Sequence, residues 1–511
     1  YAQTSTATGA IAIGYTSQYD YTNSGGAGSV ALGYETLRYN QSGAHNTAIG
    51  YQALKGASGQ SNSYNVGVGS RAMVSITTGD SNVAVGMDSA YALTSGHRNI
   101  MIGRNSGATL TTQDDNVIIG YEAGNDTTGQ KAVIIGNYAG DDNSPTNAVI
   151  IGYRAGRVIN GENTVAVGYD ALKAATESDN TAVGAYALQT LVDGTNNTAL
   201  GIAAGYRIDK GDNSTFLGYY AGYQATGSQN TFVGNSAGYG GQGSAPYSSG
   251  QNNTAVGFQA LRNFTTSGNN VAVGEKALYS LESQTSSTGG HYVVIGSNAG
   301  YTYNQSQYGR NVAIGRAAAY YASASKNSVV IGYQAGEYGT SDGNVYVGYH
   351  AGRGYKESGT WPYSTGAANV AIGESAMYSI QGGDDNVAVG RSALYRNTEG
   401  DNNVAVGQYA GYNITGSQNT FIGSEAGYGL SSAPYASGNS NIGIGYRSLY
   451  NLTTSGNNVA IGENAGNAIT TGGYHVLIGT QAGFRLTTSN YTTHIGYRAS
   501  RYNTGAYNTS L

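Results

Sequence analysis

The sequence predicts an all-β fold: a repetitive parallel β-roll or β-solenoid fibre of about 28–29 coils, each 16–17 residues long. Three observations carry this. First, a unit of the form Asn-Val-Ala-Val-Gly-Tyr-x-Ala-Gly recurs from end to end, with its glycine at Gly69, Gly86, Gly103, Gly120, Gly136 and, far downstream, Gly373, Gly390 and Gly407. Second, the residues just before that glycine alternate with the period of a strand and are β-branched. Third, the composition suits no ordinary domain. Gly supplies 81 of 511 residues and charged residues only 10 %, against roughly 25 % in typical globular domains. Low charge and high Gly also accompany disorder, but here Val, Ile, Ala and Tyr recur in register.

Each position of the unit has a physical reading. The residue before the glycine is Val, Ile or Leu, as at Val85, Ile119 and Ile314, and the residue two earlier is Val, Ile or Thr, as at Val83, Val117 and Val312. These two share one strand face, and their constancy predicts that they form a continuous core. The residue between them, small at Ala84, Ala272 and Ala405 but large at Phe216, Phe232, Tyr346 and Phe421, is expected on the opposite face, against another layer or another chain. The glycine marks a bend where no side chain fits. The alanine three residues later, as at Ala53, Ala123 and Ala335, predicts close approach of successive coils. Four residues before the glycine stands Asn, as at Asn46, Asn82, Asn116 and Asn386; stacked in register these form a ladder of amides. Polar segments such as Thr454-Ser455-Gly456 read as turns, so one unit is expected to hold two short strands and two turns. At roughly 4.8 Å per coil the rod would be about 130–140 Å long.

With no linker and no shift of composition, residues 1–511 read as one continuous repeat region. Longer steps in the repeat place surface insertions at about 238–250, 279–290, 352–367 and 427–439. The first and last contain near copies, Ser244-Ala245-Pro246-Tyr247 and Ser432-Ala433-Pro434-Tyr435, as if a block of several coils had been duplicated. The chain starts at Tyr1 and stops inside a motif at Asn508-Thr509-Ser510-Leu511, which reads as a piece of a longer protein.

Units such as Asn46-Thr47-Ala48-Ile49-Gly50-Tyr51-Gln52-Ala53-Leu54 and Asn311-Val312-Ala313-Ile314-Gly315 resemble the head repeats of YadA-like trimeric autotransporter adhesins and similar repeats of bacteriophage tail-fibre proteins. The resemblance covers essentially the whole chain. It implies a left-handed parallel β-roll, three intertwined chains in one fibre, and adhesion at a surface. The repeat is longer here than in the adhesins, so a single-chain solenoid associating laterally or end to end stands as the alternative to the trimer.

Little in the sequence points to catalysis, and no catalytic or metal-binding residues and no cofactor are expected. His45, His97, His291, His350, His475 and His494 are scattered without metal-ligand spacing and read as structural or surface residues. The acidic pairs Asp114-Asp115, Asp141-Asp142 and Asp384-Asp385 read as solvated turns, with a bound cation as the alternative. Strings such as Gly67-Val68-Gly69-Ser70 lack the Lys-Ser/Thr ending of a phosphate loop. The absence of cysteine excludes thiolate chemistry. No basic stripe invites nucleic acid, and no apolar run spans a membrane as a helix. Tyrosine is the informative excess, with 46 residues. Those after the motif glycine, such as Tyr15, Tyr51, Tyr153 and Tyr333, stack into a stripe at the coil period, either stabilising or adhesive. Aromatic residues in the insertions, Tyr247, Tyr355, Trp361, Tyr363 and Tyr435, are the candidate ligand contacts. The function expected is that of a non-enzymatic extracellular fibre, on a cell surface or virion tail, mediating adhesion or host recognition through a glycan or protein receptor. A purely structural, self-assembling filament subunit is the alternative.

Overall fold

The computed structural model describes residues 8–20, 26–142, 144–241, 248–281, 290–303, 309–322, 325–354, 364–430, 435–502 and 504–511. They form two compact units, residues 1–252 and 253–511. Each unit is a parallel β-solenoid, and no helix occurs among the described residues. In the first, three-residue strands run from Ile11–Ile13 to Thr231–Val233; in the second, from Thr254–Val256 to Thr493–Ile495. Within each unit every such strand pairs in parallel with that of the next coil, and the register never slips. Val83, Ala84 and Val85 lie opposite Ile100, Met101 and Ile102; Val387, Ala388 and Val389 lie opposite Val404, Ala405 and Val406.

The coil contains one strand, not the two expected. After the glycine the chain turns through residues with positive φ at its second and fourth positions, as at Gln52 (φ 55°) and Leu54 (φ 50°), or Ser392 (φ 55°) and Leu394 (φ 47°). This backbone is not extended, yet it is paired between coils: Gln52 N–H donates to Tyr34 O at 2.8 Å and Leu54 N–H to Ala72 O at 2.9 Å. Turns thus satisfy the main chain as a second strand would have done. Only Asn263–Phe264 and Ser280–Leu281 form a second short sheet among the described residues.

The motif glycines are required by close approach. Gly103 has φ +134°, and a Cβ there would lie 2.2 Å from the carbonyl oxygen of Gly120. Beside them runs the asparagine ladder. Asn82 Oδ1 accepts from the backbone N–H of Asn99 at 2.9 Å and from its side-chain amide at 3.1 Å. Asn99 Nδ2 also donates to Gln113 O at 2.8 Å. The pattern repeats from Asn369 through Asn386, Asn403, Asn419 and Asn441 to Asn458.

The core lies on the face opposite to the one expected. The middle residue of each strand points inward: Ala84, Ala272, Ala405, Phe216, Phe232 and Phe421 are 0 % exposed, and Tyr346 1 %. The flanking Val, Ile, Leu and Thr point outward and are half-buried to exposed, as in Val117–Ile119 and Ile100–Ile102. The reason is width. Across the coil from the middle residue stand the buried alanine and the residue after it, such as Ala53 and Leu54. That space admits one inward side chain per strand.

Its volume is shared between two positions. Where the strand's middle residue is Ala, the fourth residue after the glycine is often Leu, as with Ala48 and Leu54, Ala166 and Leu172, and Ala388 and Leu394; all six are fully buried. Where the middle residue is a large apolar side chain or Tyr346, that fourth residue is Gly; behind His494 it is Ser500. A Cβ on Gly222 would lie 2.2 Å from the Phe216 ring, and one on Gly352 would lie 2.5 Å from the Tyr346 ring. Three alanines face glycine instead: Ala199 with Gly205, Ala405 with Gly411, and Ala460 with Gly466. There the neighbouring coils fill the gap, with Leu188 and Phe216, Leu394 and Phe421, and Leu449 and Leu477 respectively. Ile118→Ala should therefore cost about 2–5 kcal/mol in urea unfolding, by leaving a cavity. Adding Gly124→Leu should recover much of it, because Gly124 has φ +52° and leucine occupies that conformation at Leu54. A double variant no more stable than the single one would contradict this complementarity.

Candidate functional site

Three exposed features follow from the coil. The first is the outward face of the sheet. Every flanking strand residue in both units is Val, Ile, Leu or Thr, and none is charged. Exposure is 47 % at Leu200, within the first unit's stack, and 41 % at Ile372 in the second. A row of apolar side chains this regular and this open is unusual on a soluble surface.

The second is a set of tyrosine ladders. Tyr15, Tyr34 and Tyr51, each next to a motif glycine, stack at 5.3 Å between ring centroids. Tyr153 stacks on Tyr169 at 5.4 Å and Tyr333 on Tyr349 at 5.3 Å. A more regular ladder stands at the fifth residue after the glycine. Tyr378, Tyr395, Tyr412, Tyr428 and Tyr450 stack successively at 4.9, 4.9, 5.1 and 5.0 Å. In the first unit Tyr206, Tyr223 and Tyr239 do the same at 4.9 and 5.1 Å. Their rings are half-buried, and desolvation raises the pKa of Tyr395, Tyr412, Tyr428 and Tyr223, which keeps their hydroxyls protonated as donors. The stripe expected from the sequence is that of the tyrosines after the glycine; this second ladder is an addition to it. The signal was present as Tyr-to-Tyr steps of 17, 17, 16 and 22 residues from Tyr378 to Tyr450, which track the glycines.

The third is a cleft beside each of these ladders. In the second unit a cavity of about 290 Å³ is lined by Tyr378, Ser379, Gln381, Tyr395, Arg396, Thr398 and Tyr435. Arg396 Nη1 donates to the Tyr435 hydroxyl, and its guanidinium lies 4.7 Å from the Tyr435 ring centroid. Arg353 pairs with Glu337 at 2.7 Å and donates to the hydroxyl of Tyr378, a lining residue, at 3.0 Å. In the first unit a cavity of about 660 Å³ is lined by Thr190, Tyr206, Arg207, Asp209, Lys210 and Thr226.

Of the expected ligand contacts, Tyr435 takes part in such a cleft. Tyr247, Tyr355, Trp361 and Tyr363 lie outside the described residues. Two of the acidic pairs act as turn acceptors: Asp114 Oδ1 accepts from His97 N–H at 2.6 Å, Asp115 pairs with Arg98 at 2.6 Å, and Asp384 Oδ1 accepts from Ala367 N–H at 2.7 Å. Among the described residues no three His, Asp or Glu side chains converge as a metal site, and no helix is long and apolar enough to cross a membrane. Neither the protein-family models nor the curated proteins contain a match to this sequence.

Two histidines are built into the second unit. His475 takes the place of a ladder asparagine: its N–H donates to Asn458 Oδ1 at 3.1 Å, and its Nδ1 pairs with Thr492 Oγ1 at 2.7 Å. His494 is the middle residue of its strand; both are 1 % exposed. Burial lowers the pKa of each, and for His475 the nearby His494 adds to the effect. The unfolded chain, with His near 6.5, therefore binds protons that the native state refuses. The stability these neutral histidines allow is fully present above about pH 6.5 and is lost as pH falls below it. The urea midpoint should drop between pH 7.5 and 5.5. In a His475→Asn/His494→Ala variant that drop should shrink; an unchanged drop would contradict the assignment.

Proposed function

We propose that this chain is a segment of a non-enzymatic extracellular fibre, on a cell surface or a virion tail, that mediates adhesion or host recognition, and that copies of it assemble through the outward aliphatic face. The observation that carries the reading is that face: uncharged and repeated in every coil. A surface of the same repeat, presented by a second copy, matches its rungs along their whole length, whereas an unrelated protein would match only a few. The resemblance of the Asn-x-Ala-Ile-Gly units to YadA-like adhesin heads and tail-fibre repeats favours three chains. The tyrosine ladders and their clefts provide polar and aromatic surface for a glycan or protein receptor. The second reading, a purely structural filament, rests on the same apolar face and differs in needing no receptor.

The test is sedimentation of the chain against a variant carrying Val117→Lys, Ile119→Lys, Val133→Lys and Ile135→Lys. The expected outcome is a trimer for the parent and a dissociated species for the variant with unchanged far-ultraviolet dichroism, since these side chains point out of the core. A monomeric parent would overturn the assembly. Open-ended growth with concentration, without attachment to cells, would favour the structural filament.

A further inference from the structure

Two of the tyrosine ladders are open to solvent at every rung. In the first unit Tyr15, Tyr34 and Tyr51 are 60, 41 and 50 % exposed, and their rings stack at 5.3 Å with planes 13° and 10° apart. In the second unit Tyr474, Tyr491 and Tyr507 are 55, 49 and 80 % exposed and stack at 5.0 and 5.2 Å, with planes 13° and 16° apart. Tyr474 and Tyr491 stand five residues before Gly479 and Gly496, in the turn that leads into the strand. The ladder from Tyr378 to Tyr450 is different. Its rings are half-buried, and desolvation holds the hydroxyls of Tyr395, Tyr412 and Tyr428 protonated.

Rings at one position of successive coils, with nearly parallel planes, are related by little more than a translation. Each atom of one ring then lies about as far from its counterpart in the next as the centroids do. The Cε carbons, ortho to the hydroxyls, are thus held beside one another at close to the stacking distance. A tyrosine ring turns readily about its outer torsion, so an exposed pair closes this gap without moving the backbone. Those carbons carry much of the unpaired electron of a tyrosyl radical, and juxtaposed radicals join there. Each phenol first gives up one electron and its hydroxyl proton. The two radicals then form a Cε–Cε bond, and the hydrogen on each joined carbon passes as a proton, through solvent, to the phenolic oxygen, restoring two phenols. The two electrons and two protons released reduce one hydrogen peroxide to two waters through a haem peroxidase. The chain has no cysteine and so no disulfide. A link from Tyr34 to Tyr51 or from Tyr474 to Tyr491, each 17 residues apart (51 − 34 and 491 − 474), closes a loop in the unfolded chain as a disulfide does.

We propose that the two exposed ladders are oxidative modification sites, at which peroxide and a haem peroxidase join tyrosines of successive coils of one chain as dityrosine. That the chain meets such an oxidant rests on the extracellular reading given above; the pairing of the rings does not. Tyr19 and Tyr497 are comparably exposed but, among the described residues, stack on no other tyrosine, and they serve as internal controls.

The test is oxidation of the full chain in dilute solution with a haem peroxidase and hydrogen peroxide, read by dityrosine fluorescence and by mass spectrometry after proteolysis. The expected products are linked peptides, each lighter by two hydrogens than its two parts together, that join Tyr34 to Tyr15 or Tyr51 and Tyr491 to Tyr474 or Tyr507. Their yield should not change on further dilution. Tyr34→Phe/Tyr491→Phe keeps every ring in its stack and should abolish these links with unchanged far-ultraviolet dichroism. Absence of dityrosine would overturn the proposal. So would links that reach Tyr19 and Tyr497 as often as the ladder neighbours, or links whose yield falls with dilution, which would mark joining between chains. The same pairs formed equally well in urea would also overturn it, because nearness in sequence would then select them and not the ladder. Cell attachment separates this idea from the recognition reading. Linking in a chain that attaches to no cell defeats recognition and leaves the ladders as proposed; attachment without linking does the reverse.

Discussion

The structure depends on one contact, that between the motif glycine of a coil and the carbonyl of the next motif glycine. At Gly86, Gly120 and Gly136 alike, that oxygen stands 2.4 Å from where a Cβ would be. Only glycine allows the backbones to close at this corner, and only there must the chain take φ near +135°. Once the corner is fixed, the following strand has no freedom of register. Its asparagine must then meet the asparagine one coil away, and its side chains must fall into rows. The asparagine amides repay the corner by satisfying backbone N–H groups that would otherwise be buried without partners. Within a unit the stack is thus a repetition of nearest-neighbour contacts, each coil stabilised by the two beside it.

Much of this was legible in the sequence because it is periodic. The repeat length, the parallel stacking, the asparagine ladder and the forbidden side chain at the glycine all follow from residues that recur in step. The inside and outside of the strand were read the wrong way round, for a physical reason. In Val-Ala-Val both faces are apolar, and β-branched residues are favoured on any pleated surface, buried or not. The deciding information is the pairing of volumes between the strand's middle residue and the fourth residue after the glycine: Ala48 with Leu54, but Phe216 with Gly222. That relation is present in the sequence, but it spans the turn and has neither the period of a strand nor that of a helix. The alternating positive-φ turn was likewise illegible, because residues as different as Gln52, Asp88 and Tyr409 adopt it, and no residue type announces it.

The inverted core changes what the surface offers. Had the aliphatic pairs been internal, the outside of the sheet would have been an uneven row of alanines broken by larger residues such as Ile118, Phe216 and Tyr346. Instead each coil displays two branched apolar residues outward and keeps its polar chemistry in the turns, where tyrosines stack and arginines pair across coils, as Arg71 does with Asp88 at 2.6 Å. Exposed pairs of that kind add little stability, but they hold long side chains in fixed rows. Separate apolar and polar faces suit the recognition fibre proposed above, since assembly through one would leave the other open. Contacts also cross several coils: Tyr435 meets Arg396, 39 residues earlier in the chain.

The most direct test of this account uses two neighbours of one strand. Ile118 is fully buried and points inward; Ile119, the same residue type one step on, points out and is half-buried. Ile118→Asp and Ile119→Asp should be compared by urea unfolding at a concentration low enough to keep the chains apart. The account predicts that Ile118→Asp unfolds its surroundings or costs several kcal/mol, because it buries a charge without a partner, while Ile119→Asp leaves the midpoint nearly unchanged. The reverse order would place the core on the other face of the sheet, and would contradict both the packing of the coil and the functional surfaces derived from it.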